Sequence, residues 1–600
     1  MLRPCPFFVG WLLVALRLPD LQSVEIVFNA PPGQHLGGGE IPTERRLSWD
    51  PSDRLVFTPY FYWYDVWSKA HLLNPDDSDA LTTHPATMTG FSYKSVQWHR
   101  AQLLDMEAAG IDIVLPVYWG APSELADYGI SHWSYAGLIP LIQARSELVK
   151  EGHRPPLIGL FYDTTTLERN AWNEHVDLTD QRGMAWFYES VRDFYSLIPI
   201  EHRARIDGRP VLFTWASSWA KDYDQAHVVY ANEQFARDFG ERGLYWVRES
   251  SWQLETESEY GWGGAFGLKT FEVATLGPGY DHSAVPDRYP IILDREAGAF
   301  FERQWIRFLR SGIHHLMIET WNEFHEGTDI AHSREYGRQY IELNRRYVDL
   351  FKAGWIPEKD KGPFSDSRSV SIRFDGSPMT DGLRWVDWED GQVERVGDGR
   401  EACWRLLPSE VGGTYLYLRV DDSFRWEGRQ DLTVTVEVIR SKGSDFDIQF
   451  DGSDLEAPLA GAYSLARSAA PRQSIDEGEV FQVELKEARF LNSQNGGADF
   501  RIRRLHGDLC LRSVTLTKLD REDEEFIDKP VLSLDSLSHS LGYVTVRATE
   551  GRRYVLESTS DLETWIPERS FRMASDEVEV AYSTKNRLGP RFFRIRGVVE

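Results

Sequence analysis

The chain is poor in cysteine, with only Cys5, Cys403 and Cys510 among its 600 residues. A scaffold built from several disulfides is therefore excluded. Removal of Cys5 with an export signal would leave Cys403 and Cys510. The sequence leaves open whether these two pair or stay as isolated buried thiols.

Basic residues are also scarce relative to acidic ones, with 66 Lys and Arg against 93 Asp and Glu and a formal net charge of −27. Such an excess of negative charge repels a phosphate backbone. The sequence contains no basic patch that offsets it. We therefore expect no nucleic-acid partner.

After the N-terminus, no apolar run is long enough to cross a bilayer, so we expect no membrane span. Residues 1–23 resemble a signal peptide, since Arg3 precedes a short apolar run over 7–16. Leu21-Gln22-Ser23 is a loose match to a cleavage site. The alternative is a buried N-terminal helix or strand. The first interpretation predicts a secreted, periplasmic or cell-surface protein.

Short apolar runs alternate with helical patterns over the first half of the chain. The predicted strands are 56–61, 111–118, 157–162, 211–215, 244–247, 264–268, 273–276 and 315–320. The predicted helices are 93–109, 135–150, 184–196, 231–241, 297–311 and 335–352. This order predicts an α/β fold, a (β/α)8 TIM barrel over residues 24–360. An open doubly wound sheet is the alternative, but the Gly-rich nucleotide loop typical of that fold is missing.

The second half of the chain shows the period of two that is typical of strands. A charged Pro/Gly linker, Lys359–Pro363, precedes this change of pattern, and a second, acidic linker begins at Asp520. We expect a β-sandwich over 365–520 and a small all-β module over 525–600. The sandwich is an accessory carbohydrate-binding or structural domain, and the sequence does not decide between these roles.

Two carboxylates follow the last predicted barrel strand, where the active sites of such barrels lie. Glu323 and Glu326 are three residues apart, a spacing that brings both side chains to one side of a turn. Neighbouring carboxylates beside aromatic rings do not both ionise easily, so one becomes an acid and the other a base. A glycosidic bond needs such a pair for its hydrolysis. An acidic surface turn is the alternative interpretation.

Other predicted strand ends carry aromatic and acidic side chains, which suit the CH faces and hydroxyls of sugars. Any of these aromatic residues could instead close the core of the barrel. The candidate substrate-binding residues are Tyr60, Tyr62, Tyr64, Tyr118, Trp119, Asp163, Trp215, Glu249, Tyr280, Asp281, Trp321, Asn322 and His325.

Other catalytic motifs are missing from the sequence. Neither the H-E-x-x-H motif of zinc proteases nor the G-x-S-x-G motif of α/β-hydrolases occurs. We therefore predict no metal and no cofactor.

Residues 321–328, Trp-Asn-Glu-Phe-His-Glu-Gly-Thr, resemble the W-N-E-W-H-E-G-T signature of glycoside hydrolase family 99, the endo-α-mannosidases, and more distantly family 71. Residues 277–281 and 110–120 are similar to two further segments of that family. Bacterial domains of the DUF5010 type share this resemblance.

The resemblance implies a retaining endo-glycosidase that works without a metal. It implies that Glu323 deprotonates the sugar 2-hydroxyl, giving a 1,2-anhydro sugar. Glu326 would act first as general acid and then as base, and Tyr280 would match an active-site tyrosine. The sequence departs from the family 99 pattern at two positions, with Phe324 in place of Trp and Asp329 in place of Gln. These changes bear on which substrate is bound more than on the reaction.

The sequence therefore favours a secreted glycoside hydrolase that acts on a polysaccharide or oligosaccharide of the α-mannoside or α-glucoside class. A non-catalytic glycan-binding or cell-surface protein on a barrel scaffold is the alternative. A barrel hydrolase that uses a metal is a third interpretation of the sequence. The sequence does not indicate the oligomeric state.

Overall fold

The structure is a computed structural model. It describes residues 28, 30–37, 48–122, 132–286, 288, 291–358, 362–375, 378–388, 390–398, 402–407, 414–425, 430–439, 445–454, 457–459, 461–467, 473–475, 478–519, 531–537, 541–547, 553–559, 566–572, 577–583 and 592–597. The chain divides into two compact units, one ending at Glu358 and the other beginning at Lys359. The predicted signal peptide, residues 1–23, lies outside the described residues.

Eight parallel strands close into a barrel in the first unit. They are β1 Leu55–Tyr60, β2 Ile113–Tyr118, β3 (Leu157–Ile158 and Leu160–Tyr162), β4 Arg209–Thr214, β5 Tyr245–Glu249, β6 Ser258–Tyr260, β7 Val273–Leu276 and β8 His315–Ile318. Each strand pairs with the next along the chain, and β8 pairs with β1 to close the ring. The predicted fold class is confirmed.

Six α-helices surround the barrel among the described residues. They are α1 Val96–Ala109, α2 Trp133–Lys150, α3 Gln181–Leu197, α4 Gln225–Phe239, α5 Ala299–Ser311 and α6 Gln339–Lys352. Local chemistry sets their ends: the Ser95 hydroxyl caps the start of α1, and Gly110 ends it with a φ of 83°. All six predicted helices are observed, with small shifts of their ends.

The barrel interior is filled by side chains. The Phe57 ring of β1 and the Phe213 ring of β4 have centroids 5.3 Å apart, and Phe213 and Tyr260 are 5.4 Å apart. This packed interior forms the floor beneath the C-terminal ends of the strands.

One predicted barrel strand is wrong. Residues 264–268 contain a 3-10 turn, Gly264–Phe266, and the sixth strand lies earlier, at Ser258–Tyr260. The physical reason is the positive φ of the flanking glycines, 103° at Gly263 and 154° at Gly267, which a regular strand does not adopt. Within the described residues, no α-helix lies between β5 and β6 or between β6 and β7.

Short strands and turns complete the first unit. The strands Arg205–Ile206, Tyr280–Asp281 and Ile292–Leu293 lie outside the eight-membered ring, and the last two form an antiparallel hairpin. The remaining 3-10 turns are Thr164–Leu167, Ile200–His202, Ser217–Trp219 and Glu296–Gly298. No helix of the described residues is long and apolar enough to span a bilayer.

The second unit contains two antiparallel sheets with a shared apolar core. Their strands are β9 Ser369–Arg373, β10 Met379–Asp381, β11 Leu383–Val386, β12 Val393–Val396, β13 Cys403–Leu406, β14 Thr414–Val420, β15 Gln430–Ile439, β16 Asp445–Phe450, β17 Ser464–Arg467, β18 Gln473–Ile475, β19 Gly478–Ala488, β20 Phe500–His506 and β21 Cys510–Lys518. One sheet runs β10-β9-β21-β15-β19-β18, with β13 paired to β21 and β12 to β13, and the other runs β11-β14-β20-β16-β17. A 3-10 turn, Asn495–Gly497, precedes β20.

The alternating pattern of β15 sets the core of this sandwich. Leu432, Val434, Val436 and Val438 point inward and are fully buried, as the period of two requires. Cys403 of β13 and Cys510 of β21 form a disulfide, which the sequence had left open.

Six further strands follow the sandwich. They are β22 Val531–Leu537, β23 Leu541–Arg547, β24 Arg553–Thr559, β25 Ile566–Arg572, β26 Glu577–Ser583 and β27 Phe592–Gly597. They form two three-stranded sheets, β22-β23-β26 and β25-β24-β27.

Candidate active site

The loop after β8, residues 319–329, is anchored to the loop after β1 and to α1. The Asn322 amide accepts from the backbone N–H of Phe61 at 2.8 Å and donates to its carbonyl at 2.7 Å. The Trp321 indole donates to Gln102 of α1 at 2.7 Å. These buried bonds fix where the following carboxylates lie.

A buried ion pair supports the end of the same loop. Arg295 donates to the carbonyls of Gly327 and Asp329 and to Oδ1 of Asp329, at 2.8 to 2.9 Å. Its guanidinium lies between two rings, 4.2 Å from the Tyr336 centroid and 4.7 Å from the Tyr340 centroid. Burial raises the pKa of Asp329, and Arg295 opposes that rise. Asp329, a departure from the family 99 signature, thus has its own cationic partner.

Glu323 is nearly enclosed, with 5% of its surface exposed. Its Oε1 accepts from the backbone N–H of His325 at 3.1 Å and lies 2.7 Å from the imidazole Nδ1 of the same residue. Its Oε2 is buried and has no partner among the described residues. Burial raises the pKa of Glu323, and His325 opposes this rise.

His325 connects Glu323 to the loop after β1. Its Nε2 lies 2.9 Å from the backbone carbonyl of His71. Burial lowers the pKa of His325, but the charge and hydrogen bond of Glu323 outweigh burial, so the net shift is upward. The imidazole therefore favours its protonated form more than a free histidine does.

Glu326 is the more open carboxylate, with 26% of its side chain exposed. Its Oε1 accepts from Arg288 at 2.9 Å, and its backbone carbonyl accepts from the N–H of Asp281, also at 2.9 Å. Burial, with the neighbouring Glu326 charge, raises the pKa of Tyr280, whose hydroxyl also lies 2.9 Å from Nδ1 of His282. Tyr280 is thus a neutral hydroxyl beside Glu326.

Aromatic rings form a half-buried group beside the two carboxylates, which we call the aromatic rim: Trp63, His71, Trp119, Trp133 and His325. The Trp63 ring is stacked on His71, with centroids 4.7 Å apart and planes 4° apart. It also lies 5.7 Å from His325 and 6.0 Å from both Trp119 and Trp133. The arrangement offers flat apolar surfaces next to acid–base groups.

A second group of predicted residues lies at the ends of β3, β4 and β5. Trp215 packs edge-to-face against Trp262, with centroids 4.5 Å apart. Glu249 accepts from the hydroxyls of the two serines that follow it and from one of their amides. Burial raises the pKa of Asp163, and Trp119 opposes the rise. Trp119 thus lies between this group and the aromatic rim.

Six predicted substrate-binding residues are core residues instead. They are at most 2% exposed, so they do not line the mouth of the barrel: Tyr60, Tyr62, Tyr64, Tyr118, Trp321 and Asn322. The tyrosine hydroxyls of the first-strand cluster are satisfied internally, as when Tyr62 donates to the Ser134 carbonyl at 2.7 Å and Tyr64 to the Asn322 carbonyl at 3.0 Å. Tyr118 packs against Phe194 of α3.

Sequence reasoning missed several residues near the site. Arg288 and Trp133 are two of them, and Trp63, one of the aromatic residues that follow the first strand, is not in the candidate substrate-binding set. A third carboxyl, Glu319 at the end of β8, accepts from the backbone N–H of Gly263 at 2.9 Å. Burial raises the pKa of Glu319 to about 8. The signature alone gives no signal for Trp63, Trp133 and Arg288, because these three residues come from other loops.

Among the described residues, no group of three or more His, Cys, Asp or Glu side chains is placed to hold a metal ion. The polar side chains described at this mouth are carboxylates, imidazole, phenol and guanidinium. Such a set transfers protons and binds hydroxyl groups.

A closed parallel barrel with acid–base side chains at the C-terminal ends of its strands defines an α/β-barrel domain with a candidate catalytic mouth. Residues 60–358 match the model of one such family, described as a domain of unknown function, DUF5010. The barrel of this chain belongs to the DUF5010 family. No curated protein matches the chain.

Solved structures similar to the chain include the following three, all at low identity. Two are of the family 99 endo-α-mannosidase from Bacteroides thetaiotaomicron, one of them in complex with Bis-Tris-propane. The complex is 16% identical, covers 50% of this chain and 98% of its own, and has a TM-score of 0.37. The other is 16% identical, covers 51% and 99%, and has a TM-score of 0.36. The third, apo β-glucuronidase 3 from Bacteroides uniformis, is 8% identical, covers 92% and 62%, and has a TM-score of 0.27.

Proposed function

We propose that the barrel is a glycoside hydrolase. Glu323 is the base that deprotonates the substrate, and Glu326 is the general acid for the leaving group and then the base for the attacking water. The observation that carries the proposal is the pair itself. Two carboxylates lie three residues apart on the loop after β8, one enclosed against His325 and one open beside Arg288 and Tyr280. Two carboxylates in different environments are what an acid–base division of labour requires.

The different exposures support the assignment of roles. Glu326, with 26% of its side chain exposed, can exchange protons with water between turnovers and can reach a leaving-group oxygen. Glu323, 5% exposed, is shielded from water and keeps a hydrogen-bonded oxygen toward His325. A shielded base takes its proton from the bound substrate rather than from solvent.

The resemblance of residues 321–328 to the family 99 signature supports a retaining route for this pair. In that route Glu323 takes the proton of the sugar 2-hydroxyl, and the oxygen attacks C1 to form a 1,2-anhydro sugar. Glu326 gives its proton to the departing glycosidic oxygen. Water then attacks C1 and breaks its bond to O2. Glu326 accepts the proton of the water, and Glu323 returns its proton to O2, so both carboxyl groups regain their starting states.

The substrate we infer is an α-linked mannoside or glucoside within a polysaccharide or oligosaccharide. Apolar rings such as Trp63 and Trp119 suit the CH faces of such sugars, and the acidic side chains nearby suit their hydroxyls. The sandwich is inferred to be an accessory carbohydrate-binding domain. We further infer export, which the Cys403–Cys510 disulfide supports because such bonds persist in oxidising compartments.

The test is a panel of α-mannans, α-glucans and their oligosaccharides incubated with the full chain, with products separated and their anomeric configuration followed by NMR. The proposal predicts new reducing ends from at least one glycan, first released as the anomer of the bond that is cleaved. Glycan binding without any product would contradict it and would favour the non-catalytic alternative. Release of the opposite anomer would contradict the retaining route.

A further inference from the structure

We propose that His325 is a positioning residue that shares one proton with Glu323 and thereby keeps the second, unpartnered oxygen of Glu323 available as a base. This inference rests on the proposed function, since it says how the base of the Glu323–Glu326 pair is prepared. It assigns a task to the histidine inside the signature and to the backbone carbonyl of His71.

The carbonyl of His71 fixes the tautomer of the imidazole. A carbonyl oxygen only accepts hydrogen bonds, so the 2.9 Å contact to Nε2 of His325 requires a hydrogen on Nε2. Nδ1 is therefore the nitrogen that faces Glu323. In this orientation the ring has no freedom to exchange the roles of its two nitrogens.

The short contact to Glu323 then requires one more proton. Without it, an Nδ1 lone pair and a carboxylate oxygen would face each other at 2.7 Å, which is repulsive. The backbone N–H of His325 donates to the same Oε1 and favours the ionised carboxylate over the acid. The pair is thus an imidazolium beside a carboxylate, with a net charge of zero.

This charge balance suits the chemistry of the site. When Glu323 Oε2 takes a proton from a substrate hydroxyl, the oxygen–hydrogen bond of the substrate breaks and a new one forms on Oε2. The pair changes from neutral to a single positive charge. Glu326 gives up its proton to the leaving oxygen in the same step and becomes negative. The site as a whole keeps its charge, so no net charge is created in a nearly enclosed space.

The other titratable groups around the pair do not compete for this proton. Tyr64, from the loop after β1, and Tyr280, from the hairpin after β7, both have a pKa raised by burial and stay neutral. Glu326, on the same loop, is paired with Arg288. His71 contributes its carbonyl to the contact and its ring to the stack on Trp63.

Two substitutions at position 325 test the hydrogen bond to Glu323 and the hydrogen bond to the His71 carbonyl separately. His325→Asn places an amide N–H where Nδ1 was, so the hydrogen bond to Glu323 stays while the shared proton and its charge are lost. His325→Gln places its amide near the former Nε2, so the bond to the His71 carbonyl stays while the one to Glu323 is lost. His71→Phe is the matched control, because it removes the imidazole nitrogens of His71 while keeping an aromatic ring and the backbone carbonyl.

The readout is the pH profile of kcat/KM on a glycan that the panel identifies. Loss of the cation raises the pKa of Glu323, so we expect the acid limb of His325→Asn to move upward by about 1–3 pH units. His325→Gln should move it in the same direction, and His71→Phe should leave the acid limb unmoved. An acid limb of His325→Asn that stays at the wild-type position would overturn the proposal.

A second measurement does not depend on turnover. Nitrogen-15 NMR of the labelled chain, with the His325 signals assigned by their loss in His325→Asn, reports the protonation of each ring nitrogen. We expect protons on both nitrogens in the resting pair and deprotonation above the ordinary value of about 6.5. Titration at the ordinary value would overturn the shared proton. A chain that shows the shared proton and cleaves no glycan would refute the proposed function alone.

Discussion

A guanidinium nitrogen of Arg288 lies 2.9 Å from Oε1 of Glu326, so the more exposed carboxylate of the pair has a cationic partner in the free protein. A cation stabilises the ionised form of a carboxylate, whereas a general acid must hold a proton. The proposed acid role of Glu326 therefore requires that a bound substrate separate Arg288 from Glu326 before the proton is given.

This contact predicts the behaviour of Arg288→Gln. Without the cation, no ion pair has to be broken before Glu326 gives its proton, so kcat/KM at neutral pH should rise. Because half of the Arg288 side chain is exposed, solvent weakens the ion pair and keeps this gain to at most about fivefold. Arg288→Lys keeps the charge and should leave kcat/KM near the wild-type value. Equal kcat/KM values for the wild type and Arg288→Gln would show that Arg288 does not act on Glu326.

The buried pair of Arg295 and Asp329 predicts a large loss of stability on breaking it. Arg295→Met leaves the Asp329 carboxylate buried without its cation, which costs about 3–5 kcal/mol. The double variant Arg295→Met/Asp329→Leu removes both charges and should be more stable than the single variant. Urea unfolding followed by tryptophan fluorescence measures both. Equal midpoints for the single variant and the wild type would contradict the assigned role.

The disulfide predicts a redox-dependent stability of the sandwich. Cys403 and Cys510 are separated by 107 residues, and cross-linking so long a loop restricts the unfolded chain. Replacing both by alanine should lower the free energy of unfolding by about 2–5 kcal/mol. The wild type in reductant should unfold at nearly the midpoint of this variant, and the variant itself should be insensitive to reductant. A wild-type midpoint unchanged by reductant would contradict the prediction.

Most of the fold could be predicted from the sequence. The hydrophobic period of each strand or helix, and the order of these elements, are visible in short stretches of neighbouring residues. The six helices and seven of the eight barrel strands lie close to where the pattern places them. The sixth strand, Ser258–Tyr260, is three residues long and carries a glutamate at its centre, so it has no apolar run to detect. The glycine-rich stretch that follows it looked more strand-like but turns at Gly263 and Gly267.

The candidate site was predictable only where its residues are neighbours in the chain. Glu323 and Glu326 follow from their spacing and their place after a strand. The partners that distinguish them, the His71 carbonyl and Arg288, come from positions far away in the sequence. The first-strand tyrosines were placed in the mouth because aromatic composition does not say which face of a strand is buried. Tyr62 and Tyr64 point inward and Trp63 outward, and only packing decides this.

The central claim is that Glu326 protonates the leaving group with Glu323 as base, and the most direct test is turnover by the Glu326→Gln and Glu323→Gln variants. Each should lower kcat by about 10²–10⁴ on a natural glycan while the fold stays intact. Glu342→Gln, an exposed residue of α6, is the matched control and should keep wild-type turnover. Glu326→Gln should recover most of its loss on an aryl glycoside whose leaving group needs no protonation, and Glu323→Gln should not. Wild-type turnover in either signature variant, or an equal loss on both substrates for Glu326→Gln, would contradict the account.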